Sequence, residues 1–253
     1  MIYDLQKAMI WKRISAWLFD AIILGILTVG IGFGISSLLS YDSYSEILSD
    51  RYDAVEQQYG TSLAITQQEY ENLEIEKQQA FMDASRAISE DPEARKAYAV
   101  MMNLSLVISS LSLLFSCLVL EFMVPLLLGN GQTLGKKIFA IGVMSVSGVR
   151  VRTIQMFIRT VLGKFTIEIM VPVLVGTLSF FGSLGIYGTA LILGLLLLQL
   201  ILISVTRYHS LIHDLLAGTV VIDMPSQMIF DTQEEMMAYK ARLKAEMDAH
   251  PYD

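Results

Sequence analysis

One cysteine, five prolines and three histidines in 253 residues are a thin supply, and each scarcity removes a class of chemistry. Cys117 has no second cysteine to pair with inside the chain and stands in an apolar run, so it reads as a packing residue. His209 and His213 are one helical turn apart, yet no His-Glu-x-x-His pattern surrounds them; neither a metal nor a cofactor is expected. These histidines are expected to hydrogen-bond at the basic loop or the membrane interface instead. Gly131-Gln-Thr-Leu-Gly135-Lys136-Lys137 has the look of a phosphate loop, but its glycines are four apart rather than five and neither Ser nor Thr follows Lys136. Nucleotide binding is excluded on that spacing. No nucleophile–base pair is visible, so no catalytic residue is assigned and the chain is not read as an enzyme. A cleavage site of the A-x-A kind is missing after the first apolar run, which is expected to be retained as a span. Inverted repeats, the mark of many transporters, are not visible either.

Charge is scarce as well. Charged residues make up 17% of the chain against 54% hydrophobic ones, and the mean hydropathy is +0.54. That composition excludes an ordinary soluble domain and predicts an all-α, polytopic membrane helix bundle. The lipid bilayer is its first partner, and no nucleic acid is expected. From Ile14 to Leu39 the only charge is Asp20, and at 1.5 Å per residue the run is long enough to cross a hydrocarbon core of ~30 Å. An aspartate in such a span costs roughly 2.5–3.5 kcal/mol on insertion scales, so a group within the protein should hold it. Arg13, two turns earlier on the same helix face, is one candidate.

Residues 1–40 form a head and the first span, with Lys7 and Lys12 ahead of the apolar run. Within it Gly30 and Gly34 allow a neighbouring helix close approach, inside the protein or in a dimer. Residues 41–97 carry 13 acidic residues against five basic ones and predict an acidic helical hairpin outside the membrane. Apolar residues recur at Tyr44, Leu48, Tyr52 and Val55 and again from Tyr70 to Ile88, with Gly60-Thr-Ser between the runs. Thr66 with Glu69 reads as a capping box. Such a hairpin is either a stalk that stiffens the connection or a docking surface for another protein. Asp91-Pro92 predicts a helix start that leads into a second span over 98–128, whose one intramembrane charge is Glu121. Counted from the chain's membrane-entry points, Asp20 and Glu121 lie at similar depth and are candidate neighbours.

Residues 129–164 contain Lys136, Lys137, Arg150, Arg152, Arg159 and Lys164 and no acidic residue. This asymmetry predicts a cytoplasmic loop, hence cytoplasmic N- and C-termini of a multi-pass cell-membrane protein with about four spans. Ile138 to Val146 and Val149 to Val151, either side of Ser147-Gly148, predict a small hairpin or an extended segment near the membrane surface. Residues 165–206 supply two further spans joined at Gly182-Ser183. Glu168 lies one turn after Lys164 and is expected to pair with it or to join the intramembrane charges. Residues 207–253 form a tail with an amphipathic helix capped by Thr232 and Glu235, its stripe being Met236, Lys240, Leu243 and Met247.

Taken together, Arg13 with Asp20, Gly131-Gln-Thr133-Leu-Gly135-Lys136, Arg159, and His213-Asp214-Leu-Leu-Ala-Gly218-Thr219 resemble the RDD family of bacterial membrane proteins, named for an arginine and two aspartates. Asp214 takes the place of the second aspartate. The long acidic insertion and the fourth span depart from compact members. The resemblance implies a helical membrane fold and involvement in transport of poorly defined ligands, with cation/proton exchange attributed to some members. Two functions follow. Arg13, Asp20, Glu121, Arg159, Glu168 and Asp214 are either an ion or proton site, or a structural ion network in an assembly or sensing protein. Four spans are few to enclose a pathway, so a homo-oligomer is expected.

Overall fold

A computed structural model describes residues 5–180 and 184–249. The Gly182-Ser183 turn and the side chain of Met247 lie outside the described residues. The chain divides into two compact units, Met1–Ile26 with Leu114–Asp253, and Leu27–Leu113.

Among the described residues, three helices are long and apolar enough to cross a membrane: α1 (Ile10–Leu38), α5 (Pro92–Leu128) and a later one, Gly185–Val205. In α1 and in Gly185–Val205 only 6% of the most apolar stretch is buried inside the protein, which leaves Leu, Ile and Val side chains facing outward as a lipid-facing helix requires. The expected third span is helical through residues 153–180, with Arg159, Lys164 and Glu168 in its first half, so composition does not single it out as it does the other three.

In the second unit the insertion forms α2 (Tyr41–Tyr59), a short α3 (Gln67–Glu71) and α4 (Ile75–Glu90). The second run of the expected hairpin is therefore two helices. The Thr66–Glu69 capping box starts only α3, which stops at Asn72. Val55 and Ala84 are buried, and Tyr70 meets Phe81 at 5.0 Å between ring centroids. Gly60 ends α2 with φ +61°, a left-handed conformation that glycine adopts at no steric cost. Asp91 caps α5 by accepting hydrogen bonds from the amides of Glu93 and Ala94, 2.8 and 3.0 Å, and these hold its carboxyl below the ordinary range.

The first unit also holds a two-stranded antiparallel sheet, whose pairing differs from the expected hairpin. Strand β1 (Ile141–Ser145) pairs with β2 (Thr219–Asp223), in register from Ile141 opposite Asp223 to Ser145 opposite Thr219. The expected hairpin about Ser147-Gly148 survives only as a bridge between Met144 and Arg150 and a bond from the Ser145 amide to the Val149 carbonyl. The reason is burial. Val143 and Met144 pair with Val221 and Val220, and with Ile222 these form a buried run of five paired residues, longer than the three-residue Val149–Val151 segment can match. The head joins the same layer through a Lys7–Ile222 bridge and a bond from the Ala8 amide to the Val221 carbonyl, 3.2 Å.

Around this sheet the unit comprises α6 (Leu134–Ile138), α7 (residues 153–180), α8 (Gly185–Val205), α9 (Ile212–Ala217) and α10 (Gln233–Ala249). Helix α10 starts as expected, the Thr232 hydroxyl accepting from the Glu235 amide at 3.2 Å, and it buries Met236 against Val149 and Phe230.

Candidate functional site

Four short structural events gather the charges of the first unit. On α1, Ala16 and Asp20 are its two buried residues, one turn apart and so on one face. Against that face lies the first turn of α6. Thr133 caps it, its hydroxyl accepting from the Lys136 amide at 3.3 Å. The same hydroxyl donates to Asp20 Oδ2, and the Gly135 amide donates to Oδ1 at 2.8 Å. The carboxylate thus sits on the positive end of a helical turn, without a cation in direct contact. Gly135 is required there: a Cβ would come within 2.4 Å of the Ala16 carbonyl oxygen and 2.9 Å of the Asp20 carboxyl.

On α5, the segment Leu118–Met123 widens into a π-helical turn just before Pro125. Proline has no amide to give the carbonyl four residues earlier, which is that of Glu121. The Thr160 hydroxyl on α7 takes that place, 2.9 Å from the Glu121 oxygen. The Glu121 side chain is 4% exposed and lies between two lysines, Lys136 at 3.5 Å and Lys164 in direct hydrogen-bond contact. Burial pushes the Lys136 ammonium, outside the spanning helices, down to about 8, with Glu121 opposing that fall.

Asp214 has no exposure at all. Arg159 donates to one of its oxygens and Arg13 to the other at 3.4 Å. Arg13 also donates to the carbonyls of Tyr208 and His209, at 3.1 and 2.7 Å, and Arg159 to the Thr219 hydroxyl at 3.0 Å. Gly218, at φ +61°, ends α9 so that Thr219 can begin β2 beneath this pair.

The fourth group is Glu168 with His213. Both carboxylate oxygens lie 2.8 Å from Nδ1 of the ring, and the His213 amide donates to one of them at 3.2 Å. Helix α9 approaches α7 this closely because Gly163 faces it; a Cβ there would meet His213 Cβ at 2.5 Å. Burial lowers the His213 pKa well below the ordinary value, aided by Arg159, Lys164, Lys136 and Arg13. The ring is neutral at neutral pH.

The structure brings Arg13, Asp20, Glu121, Arg159, Glu168 and Asp214 into this one unit, in pairings other than those the sequence suggested. Arg13 serves Asp214, not Asp20, because Asp20 is already taken by the α6 turn. Lys164 turns to Glu121, leaving Glu168 to His213. Asp20 and Glu121 are linked only through α6, which carries Thr133 at one end and Lys136 a turn later. His209 and His213 do not share a ligand: His209 Nδ1 lies 2.7 Å from the Ile203 carbonyl oxygen. Gly131, at φ +60° with Val143 where a Cβ would go, shapes the loop rather than the cluster. Lys164, Thr160 and Gly163 were not singled out as site residues. Lys164 was legible as a charge beside an apolar run, and Thr160 has an indirect signal in Pro125; Gly163 has none.

The model of the RDD family matches residues 7–218. No curated protein matches the chain. No solved structure matches it either.

Proposed function

The chain belongs to the RDD family, and from that premise we propose that it is a membrane-embedded assembly component, in which the charge cluster clasps helices together and the outer hairpin engages a protein partner. The observation that carries this reading is the completeness of the pairing. Asp20, Glu121, Glu168 and Asp214 each have two or more donors from the chain itself: Lys136 and Lys164 serve Glu121, Arg13 and Arg159 serve Asp214, and Thr133, Gly135 and His213 hold Asp20 and Glu168. The pairs tie α1 to α6, α5 to α6 and α7, and α9 to both α1 and α7. Buried ion pairs of this kind serve register and packing more readily than they add stability.

Depth supports the same reading. Helix α1 has 29 residues, about 43 Å of rise, and so exceeds a ~30 Å core by more than two turns. Trp11 and Trp17 are 75% and 60% exposed near its start, where interfacial tryptophans belong. With Trp17 at the boundary, Asp20 lies one turn inside it and far from the midplane.

The bonds between the head and β2 support placing both on one membrane side, with four crossings of which residues 153–180 supply the third. Positive charge in residues 129–164 makes that side cytoplasmic in a multi-pass cell-membrane protein. The hairpin, with Ile47, Tyr52, Ile75 and Met82 exposed, is then outside and open to a partner. Replacing residues 44–88 by a short Gly-Ser bridge should leave insertion intact and remove a co-purifying protein; identical co-purification lists from the two forms would refute the docking role. A homo-oligomer is part of the same proposal, and its mass in detergent tests it.

Transport of an ion, including cation/proton exchange, is the second reading. It is favoured by one feature, the Glu168–His213 contact, in which a carboxylate depends on a side chain able to gain a proton.

A further inference from the structure

At the end of the bundle that carries the charge cluster, cations and apolar side chains are exposed side by side. The bonds from Arg13 to the carbonyls of Tyr208 and His209 set the segment after α8 level with the first turn of α1. Arg207 lies at that level, its guanidinium 5.3 Å from the Tyr208 ring centroid. Helix α6, docked on Ala16 and Asp20, lies one to two turns further along α1 and leaves Lys137 and Ile138 exposed. The start of α7 belongs to the same collar. Gln155 donates to the carbonyls of Ala217 and Gly218 at 3.1 and 3.2 Å, with Arg152 and Ile154 exposed beside it.

Leaving aside Lys7 and the α10 residues Lys240, Arg242 and Lys244, the other nine cations of this unit fall into two sets. Lys12, Arg13, Lys136, Arg150, Arg159 and Lys164 all pair with carboxylates. Among the described residues Lys137, Arg152 and Arg207 form no such pair, and they are the ones flanked by exposed Ile138 (60%), Ile154 (59%) and Val205 (78%). A surface that alternates free cations with apolar side chains, continuous with membrane-spanning helices, matches a headgroup layer in which phosphate and acyl chain lie within a few ångströms of each other. We propose that this collar lies in the headgroup layer of its leaflet and binds anionic phospholipid, Lys137, Arg152 and Arg207 meeting phosphate while Ile138 and Ile154 enter the acyl boundary. The inference goes beyond the assembly reading and stands whether or not that reading does.

Trp11 and Trp17 are the chain's two tryptophans, and both report on this collar. The full chain is reconstituted in phosphatidylcholine vesicles carrying a quarter of either brominated phosphatidylglycerol or brominated phosphatidylcholine, and tryptophan quenching is compared. One engaged cation supplies an about fivefold preference for the anionic lipid. Wild type should therefore be quenched more strongly by brominated phosphatidylglycerol, and the excess should shrink at high salt and in the triple variant Lys137→Gln, Arg152→Gln, Arg207→Gln. Quenching by brominated phosphatidylcholine should be unchanged in that variant, which shows that it is folded and inserted. Equal quenching of wild type by the two lipids would overturn the proposal. So would quenching by neither, the result expected if a second copy or another protein covers the collar.

Discussion

Replacing Gly135 by alanine tests the closest approach in the cluster. The added Cβ would lie 2.4 Å from the Ala16 carbonyl oxygen, where ordinary contact begins at 3.4 Å, so α6 must retreat by about 1 Å. That retreat stretches the 2.8 Å bond from the Gly135 amide to Asp20 beyond hydrogen-bonding range. Overpacking costs about 1–3 kcal/mol and the loss of a bond to a charged acceptor about 1.5–3 kcal/mol. Since one displacement produces both, the total is about 2–4 kcal/mol rather than their sum. For a chain of this size that corresponds to a fall in melting temperature of roughly 5–12 °C, read by thermal unfolding of the purified protein in detergent. Gly25→Ala is the control. Nothing lies within 4 Å of its Cβ, so it should be neutral or stabilising by up to ~1 kcal/mol. If Gly135→Ala melts with Gly25→Ala, α6 does not pack on α1 as described and Asp20 is held in some other way.

Further outcomes follow from the remaining pairs. Asp214→Asn leaves Arg13 and Arg159 without their counter-charge and should cost about 3–5 kcal/mol in the same melting assay, whereas Asp223→Asn, which loses only the half-exposed Lys12 pair, should cost under ~1 kcal/mol. Thr160→Val removes the donor that replaces the missing amide of Pro125 and should cost about 1–3 kcal/mol. In a Pro125→Ala background, where an amide is restored, that cost should shrink; strict additivity would refute the surrogate role. The His213 pKa is lower in the folded than in the unfolded chain, so between the two values the unfolded chain holds more protons. Stability should therefore be flat above pH 7 and fall as the pH drops below 6.5, by up to ~1.4 kcal/mol per unit, and His213→Gln should flatten the fall measured as melting temperature against pH.

Single charges in apolar runs were legible in the sequence, and the partners of those charges were not. Asp20 and Glu121 stand out because insertion energetics make them costly, yet Asp20 is held by a hydroxyl and a backbone amide more than a hundred residues away, groups that carry no charge signal. Local spacing pointed Arg13 to Asp20 and Lys164 to Glu168. Each local pairing lost to a partner elsewhere in the chain: Arg13 meets the fully buried Asp214 and Lys164 the buried Glu121, while Asp20 and Glu168 are held by Thr133 and Gly135 and by His213. The spanning helices α1, α5 and α8 were plain from length and hydropathy, whereas residues 153–180 mix charge with apolar character and resist that test. Strand β2 carried a readable signal in Thr219-Val-Val-Ile-Asp223 between Gly218 and Pro225. Its partner β1 lies about 75 residues away, so no local turn signal joins the two strands.

Ion flux through the purified full-length chain in proteoliposomes, under opposed sodium, potassium and proton gradients, tests most directly whether the cluster is a clasp or a pathway. Wild type shown to be folded and inserted should dissipate none of the gradients, with Asp20→Asn and Glu121→Gln differing from it only in melting temperature. Dissipation by wild type that both variants abolish while remaining folded would contradict the account and make the same residues a transport site.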